Sequence, residues 1–241
     1  MELNQLLSVP TPPATNTYAP ISHSEIHKAI LAEANDNGFE VSGIDIRSKT
    51  GKNCIVMYGL IDKLSSCNDP EIGIRVGFKN SYDRTMSFGF ALGSVVFICG
   101  NGMVSGEYTI KKQHRMKDVN IYAKDLIHEY FKQVRPEHMQ NIVFANELKK
   151  QTVNENDAAR IIGELFINNK IINQSQLRKM TNEMYNSEKF NNFNNSSEIT
   201  AWDLYNHGTE VLKSAANVNH FNRHVSYNDY FRNTFGISYQ L

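Results

Sequence analysis

The chain has 241 residues, with 25 Lys and Arg against 25 Asp and Glu, and a formal net charge of +0. That length can bury a substantial core in one domain or two small ones, and the balanced charge argues against a strongly basic nucleic-acid coat while leaving room for a local patch. No apolar run is long enough to cross a bilayer, the N-terminus MELNQLLSVP lacks a basic region, and Cys54, Cys67 and Cys99 show no CxxC spacing, so a soluble, cytoplasmic protein with reduced thiols is expected, with a place in a virion still open.

In chain order, residues 8–20 hold four of the six prolines and predict an extended arm. Ser22 followed by Glu25 reads as a capping box that starts a helix. Its buried stripe is Ile26, Ala29, Ile30 and Ala34, His23 is expected to be solvated in the first turn, and Asn37-Gly38 is the stop. Strands follow over residues 41–47 and 54–61, around a Thr50-Gly51-Lys52-Asn53 turn. Next, Ile72, Ile74, Val76 and Phe78 alternate with Gly73, Arg75, Gly77 and Lys79. Met86, Phe88, Phe90 and Leu92 repeat the pattern after a polar break at Asn80, Ser81, Tyr82 and Asp83, which predicts a hairpin. Residues 94–99 read as a third, more buried strand closed by Gly100, Asn101 and Gly102.

From Asp118 the period becomes helical. Tyr122, Leu126, Tyr130 and Val134 make a stripe flanked by Ile127 and Phe131, and Pro136 ends it. Further helices are predicted over residues 137–150, 154–168, 175–185 and 200 to about 216, with 186–197 as a flexible, Asn-rich loop. The fold class is therefore α+β: an antiparallel sheet in the N-terminal half, up to about residue 110, followed by a helical C-terminal half. The expected organisation is an arm over 1–20, a helix plus sheet over 21–117, and a helical region over 118–241 packed on the sheet. Ile74, Val76, Phe88, Phe90, Val96, Ile98, Leu126 and Trp202 are the expected core markers.

Three runs stand out in order: Gly77-Phe-Lys-Asn-Ser-Tyr-Asp83, then Phe90-Ala-Leu-Gly93, then Val96-Phe-Ile-Cys-Gly-Asn101. Near the C-terminus come Thr200-Ala-Trp-Asp-Leu-Tyr-Asn206 and Glu210-Val-Leu212. In these runs the chain resembles the phage/plasmid-like family, domain of unknown function 932. The resemblance implies a mobile-element origin and supplies no catalytic residues.

Candidate chemistry is sparse. His23 with His27, and His220 with His224, stand four apart and could each present two rings on one helical face to zinc. His23-Ser-Glu-Ile-His27 is not HExxH, however, and neither pair has a phased third ligand, so surface or packing roles are expected and no metal or other cofactor is called. Gly100, Gly102 and Gly106 lack the Lys-Ser/Thr of a phosphate loop, and no nucleophile elbow is present, so the reading leans away from an enzyme.

The basic segment carries more. Residues 71–117 hold seven Lys and Arg against three Asp and Glu, whereas residues 1–70 hold five against eight. Lys111, Lys112, His114, Arg115 and Lys117 crowd together after the sheet. With Arg75, Lys79 and Arg84 on the hairpin they could line a groove that tracks phosphates, Tyr82, Phe88 or Tyr108 offering stacking surfaces. Arg75 and Lys79 share one face of their strand by alternation. An ordinary solvated loop is the competing reading. The aromatic C-terminus (Tyr227, Tyr230, Phe231, Phe235 and Tyr239) reads as a core seal, or as a partner surface if exposed.

Two functional readings result. One is non-specific single-stranded DNA binding through the basic face; a sheet backed by a long helix is also how ring-forming annealing proteins are built, an analogy of fold alone. The other is a non-catalytic interaction role, such as a host-defence antagonist or virion component. The candidate partners are thus single-stranded DNA or a host or phage protein, with homo-oligomers open and no membrane partner.

Overall fold

The computed structural model describes residues 1–98, 100–109 and 119–238. Its centre is an antiparallel meander, β1 (Phe39–Arg47), β2 (Asn53–Asp62), β3 (Ile72–Ser81), β4 (Gly89–Val96) and β5 (Asn101–Thr109), with neighbours in sequence paired in space. The β1–β2 turn contains Gly51 at φ +73°, a left-handed conformation that glycine adopts without a side-chain clash. One cross-sheet row runs Arg47, Ile55, Lys79, Gly89 and Thr109. Side chains alternate about that row, so the sheet has two distinct faces.

Both faces are covered. On one, Cys54, Val56, Tyr58, Leu60, Ile74, Val76, Phe78, Phe90 and Leu92 form a core with the apolar stripes of α2 (His23–Asp36) and α3 (Val119–Phe131). The opposite face carries Ile55, Met57, Ala91 and Val104, closed by Phe221 and Val225 of α8 (His220–Thr234). The second core is small, and Arg75 and Lys79 share its face. Ile74 and Val76 are buried as their period requires.

Four local expectations change. Residues 89–96 form a single strand that takes in the start of the expected third one, and the chain turns at Phe97 and Ile98, leaving Ile98 68% exposed instead of buried. The buried stripe of α3 is Val119, Ala123, Ile127 and Phe131, one residue on from the expected one, so Leu126 is only half-buried and Tyr122 is exposed. The helix turns its smaller residues to the sheet, where Phe131 packs against Phe39 and Phe90. Pro136 does not end a helix; it lies in the first turn of α4 (Val134–Lys149), where its missing N–H has no partner to lose. His23 is buried, because the N-terminal segment folds over it: α1 (Leu3–Leu7) seats Leu6 in the core, and Tyr18 Oη donates to the Ser81 carbonyl at 2.9 Å.

The helical half has its own core. Here α4, α5 (Glu155–Gly163), α6 (Gln174–Asn186), α7 (Ala201–Leu212) and α8 enclose Phe144, Leu165, Met180, Trp202, Tyr205 and Phe231. Asn154, Asn173 and Thr200 cap α5, α6 and α7 through their side-chain oxygens, the local bonding that makes these residues good N-caps. A two-stranded ladder, β6 (Thr152–Asn154) with β7 (Glu198–Thr200), ties the starts of α5 and α7 together. Residues 187–197 contain no helix or strand, yet Asn191 donates to Asp203 and Asn192 donates to the Ser187 carbonyl. No helix among the described residues is long and apolar enough to cross a membrane.

Two predictions test this packing. A methyl group at Gly208 would come within 2.0 Å of Tyr227 Oη, on a fully buried ring that donates to the Leu204 and Tyr205 carbonyls. Gly208→Ala is therefore expected to lower stability by about 1–3 kcal/mol in urea unfolding, even though alanine favours helix. Asp62 is buried and accepts from Arg135 Nη2 at 2.8 Å, with Leu64, Ser66 and Cys67 as further donors. The Arg135 guanidinium holds its carboxyl well below the usual carboxylate range. A depressed folded-state pKa stabilises fully above the unfolded value, about 4, and the contribution fades as pH falls through the folded one. Arg135→Met should cost about 3 kcal/mol at neutral pH and much less at strongly acidic pH, read from unfolding curves across that range.

Candidate anion-binding site

The small outer core does not fill the space beneath α8. A cavity of about 330 Å³ remains, walled by Asp45 and Arg47 of β1, Met57, Arg75, Gly102, Val104, Lys213 after α7, and His220 and His224 of α8. An open trough of about 800 Å³ adjoins it at Ile46 and Arg47, which line both, and is lined further by Ser48, Lys49, Thr50, Asn53, Ser214 and Asn217. Asn217 Nδ2 donates to the Arg47 carbonyl at 3.2 Å and so fixes the start of α8 against the end of β1.

Positive charge dominates this wall. Arg75 pairs with Asp45, whose carboxylate is itself largely exposed, and Lys213 pairs with Glu210 at 2.8 Å. Arg47 Nη1 donates to His220 Nδ1 at 3.2 Å, which leaves the ring proton of a neutral His220 on Nε2. Burial, followed by the charges of His224, Arg47, Arg75 and Lys79, pushes the His220 imidazole far below its ordinary value. Burial, and then Arg47, brings His224 down to about 3. Both rings are neutral near pH 7 because burial, and then the neighbouring cations, disfavour the imidazolium. Convergent guanidinium and ammonium groups in a concave, half-closed space suit an anion, and a planar guanidinium matches a phosphate or carboxylate edge.

The hairpin residues are divided among different surroundings. Arg75 lines the cavity. Lys79, on the same face as expected, is only 4% exposed and lies over the Phe221 ring at 5.9 Å, so α8 keeps it from an open groove. Tyr82 is buried and stacked on His23 with ring centroids 3.9 Å apart, and Phe88 is a core residue; neither offers a face to a base. Arg84 is exposed and its guanidinium sits over Tyr18, 4.5 Å from the ring centroid. Lys111, Lys112, His114, Arg115 and Lys117 lie outside the described residues. Thr109, the last residue of β5, stands in the cross-sheet row of Arg47 and Lys79. Arg47, Lys213 and the paired histidines were not read as one site from sequence. The only signal was the alternation of Asp45 with Arg47, since Arg47 and His220 are 173 residues apart.

A second constellation looks reactive and is not. His23 Nδ1 lies 3.6 Å from Cys54 Sγ and 3.0 Å from Asn80 Nδ2, while Nε2 donates to the Gly51 carbonyl at 3.1 Å. Burial pushes the Cys54 thiol up to about 12 and brings His23 down to about 4, so neither the thiolate nor the imidazolium of a cysteine nucleophile forms. His27 bonds Tyr58 Oη at 2.9 Å, so the first histidine pair is spent on packing. Among the described residues no group of three His, Cys, Asp or Glu could hold a metal ion.

A family model described as a domain of unknown function (DUF932) matches residues 14–233, nearly the whole chain. The chain belongs to the DUF932 family. No curated protein and no solved structure matches it. The match in this DUF932 chain spans the sheet, α7 and most of α8, so the cavity lies inside the matched region.

The inert reading of Cys54 is directly testable. In a Cys99→Ser background, neither Cys54 nor Cys67 should react with a thiol-specific disulfide reagent at pH 8 until denaturant is added. Burial holds both thiols protonated and covered, raising Cys67 to about 11. Stoichiometric labelling of the native protein would overturn that assignment.

Proposed function

We propose that the protein binds single-stranded DNA without sequence preference, in the setting of a phage or plasmid, by neutralising phosphates along the trough and cavity walled by Arg47. The observation that supports this most is the convergence of Arg47, Arg75 and Lys213 on one half-closed space, with Lys49 on the adjoining trough. The site differs from a groove on an open sheet face: α8 covers Lys79, and the part-exposed cations Arg47 and Lys213 sit at the sheet end and after α7. Lys111 to Lys117 extend the same reading as phosphate contacts. Thr50, Asn53 and Asn217 line the trough with hydroxyl and amide groups of the kind that position a backbone without reading bases.

A second reading, a non-catalytic interaction with a protein partner, is supported by Phe97 and Ile98, which are 59% and 68% exposed together at the β4–β5 turn.

The experiment is a titration of labelled oligo-dT at several salt concentrations. Affinity should fall steeply with salt, and Lys49→Ala, Arg47→Ala and Lys213→Ala should each weaken binding and flatten the slope by somewhat less than ~1 per charge removed. Replacing Lys111, Lys112, Arg115 and Lys117 together by Ala should flatten it further. Absence of binding at low salt would reject the DNA reading. Loss of self-association or partner capture on replacing Phe97 and Ile98 by Ser, with no DNA affinity in the parent, would favour the second.

A further inference from the structure

Tyr82 is packed on His23 and Phe88 lies in the core, whereas Phe97, in the turn after β4, is 59% exposed. Every other phenylalanine among the described residues is buried or half-buried. The backbone sets where the Phe97 ring lies. Its amide donates to the Glu71 carbonyl at 2.9 Å, which holds the turn against the chain just before β3. The ring folds back over Gly73, where a methyl group would come within 2.6 Å of it. A residue without a side chain is what leaves room for the ring on that face.

Gly73, Val95 and Gly102 are successive partners in one row across β3, β4 and β5. At the far end of that row, Arg75 Nη1 lies 3.9 Å from where a methyl group on Gly102 would stand. Gly73 and Arg75 are two apart on β3 and share a face of the sheet. The Phe97 ring and the Arg75 guanidinium therefore flank a floor of small residues about 10 Å across, two strand spacings. Beyond Arg75 the wall continues through Arg47 and Lys213. Glu71, the carboxylate beside the turn, is held by Lys149 at 2.6 Å. An exposed ring can receive a protein side chain or a nucleic-acid base, and the neighbouring charge favours the base. An aromatic ring next to a row of cations is the combination that single strands require, since every base has a π-face and every nucleotide a negative charge. The glycines between them let a planar base come close to the backbone.

We propose that Phe97 is a base-stacking residue: a base of the bound strand stacks on its ring beside Gly73, while the adjoining phosphates are held by Arg75, Arg47 and Lys213. This rests on the single-stranded DNA reading above and adds to it a residue that contacts bases without telling them apart. The strand then crosses the outer face of the sheet beyond the part that α8 covers.

The test separates stacking from charge and from general apolarity. Oligo-dT and an abasic strand of the same length are titrated at several salt concentrations into the parent, Phe97→Leu, Phe97→Tyr and Ile98→Ser. Phe97→Leu keeps an apolar side chain and loses the ring. It should bind oligo-dT about tenfold more weakly with an unchanged salt slope, since no charge is removed, and should bind the abasic strand as the parent does. Phe97→Tyr keeps the ring, and Ile98→Ser removes only a neighbouring apolar group, so both should stay within about twofold of the parent. In Phe97→Trp the new indole should be quenched by oligo-dT, whereas Trp202, 5% exposed in the helical core, should give no response in the parent. Equal affinity of Phe97→Leu and the parent for oligo-dT, or an equal loss on the abasic strand, overturns the stacking assignment and leaves DNA binding standing. Failure of the parent to bind either strand at low salt rejects the DNA reading and the stacking role with it.

Discussion

The packing of α8 across the outer face of the sheet is the constraint on which the rest of the molecule depends. Without it, Arg75 and Lys79 would sit on a solvated strand face, where lysine and arginine are ordinary. With it, Phe221 and Val225 close a small apolar core over Ile55, Met57, Ala91 and Val104, and the two cations are carried under the helix with it. Charged groups taken from water need partners. The exposed Asp45 answers Arg75, Glu210 answers Lys213, and the two histidines of α8 stay neutral. The cavity and its electrostatic character have one origin: a helix with two histidines laid over a face with three cations, Arg47, Arg75 and Lys79.

Elsewhere, three buried polar clusters are bonded internally and closed to solvent, which separates them from the site. Asp62 receives bonds from Arg135, Leu64, Ser66 and Cys67, and thereby orders the chain after β2. Asp203 accepts from both the N–H and the hydroxyl of Thr200 and from Asn191, which fixes the start of α7 and the Asn-rich loop at once. His23, Cys54 and Asn80 form a neutral network under Tyr82. Each of these carries familiar catalytic residue types, yet each is closed, apolar-walled and internally bonded. The space beneath α8 differs in being concave and rich in cations, with an open side toward the trough.

Membership of a family of unknown function assigns no activity, and a fold alone does not assign one either. The functional argument therefore rests on side chains. Guanidinium groups on a half-enclosed wall favour anions, and neutral amides and hydroxyls beside them favour a backbone over base edges.

Much of the scaffold was legible in the sequence because the relevant forces are local. Alternation of Ile72, Ile74, Val76 and Phe78 with smaller or charged residues specifies a strand and assigns Arg75 and Lys79 to the other face, and Ser22, Asn154 and Thr200 mark helix starts through bonds spanning three residues. Periodicity was less decisive for α3, where two adjacent stripes are both apolar and only contact with Phe39 and Phe90 selects Ile127 and Phe131 over Leu126 and Tyr130. The site belongs to the other category. Arg47 and His220 are 173 residues apart, and nothing in either segment anticipates the other. The burial of Lys79, the neutrality of His224 and the cavity beneath α8 were decided by tertiary packing, because desolvation and Coulomb interaction depend on distances that local pattern does not encode.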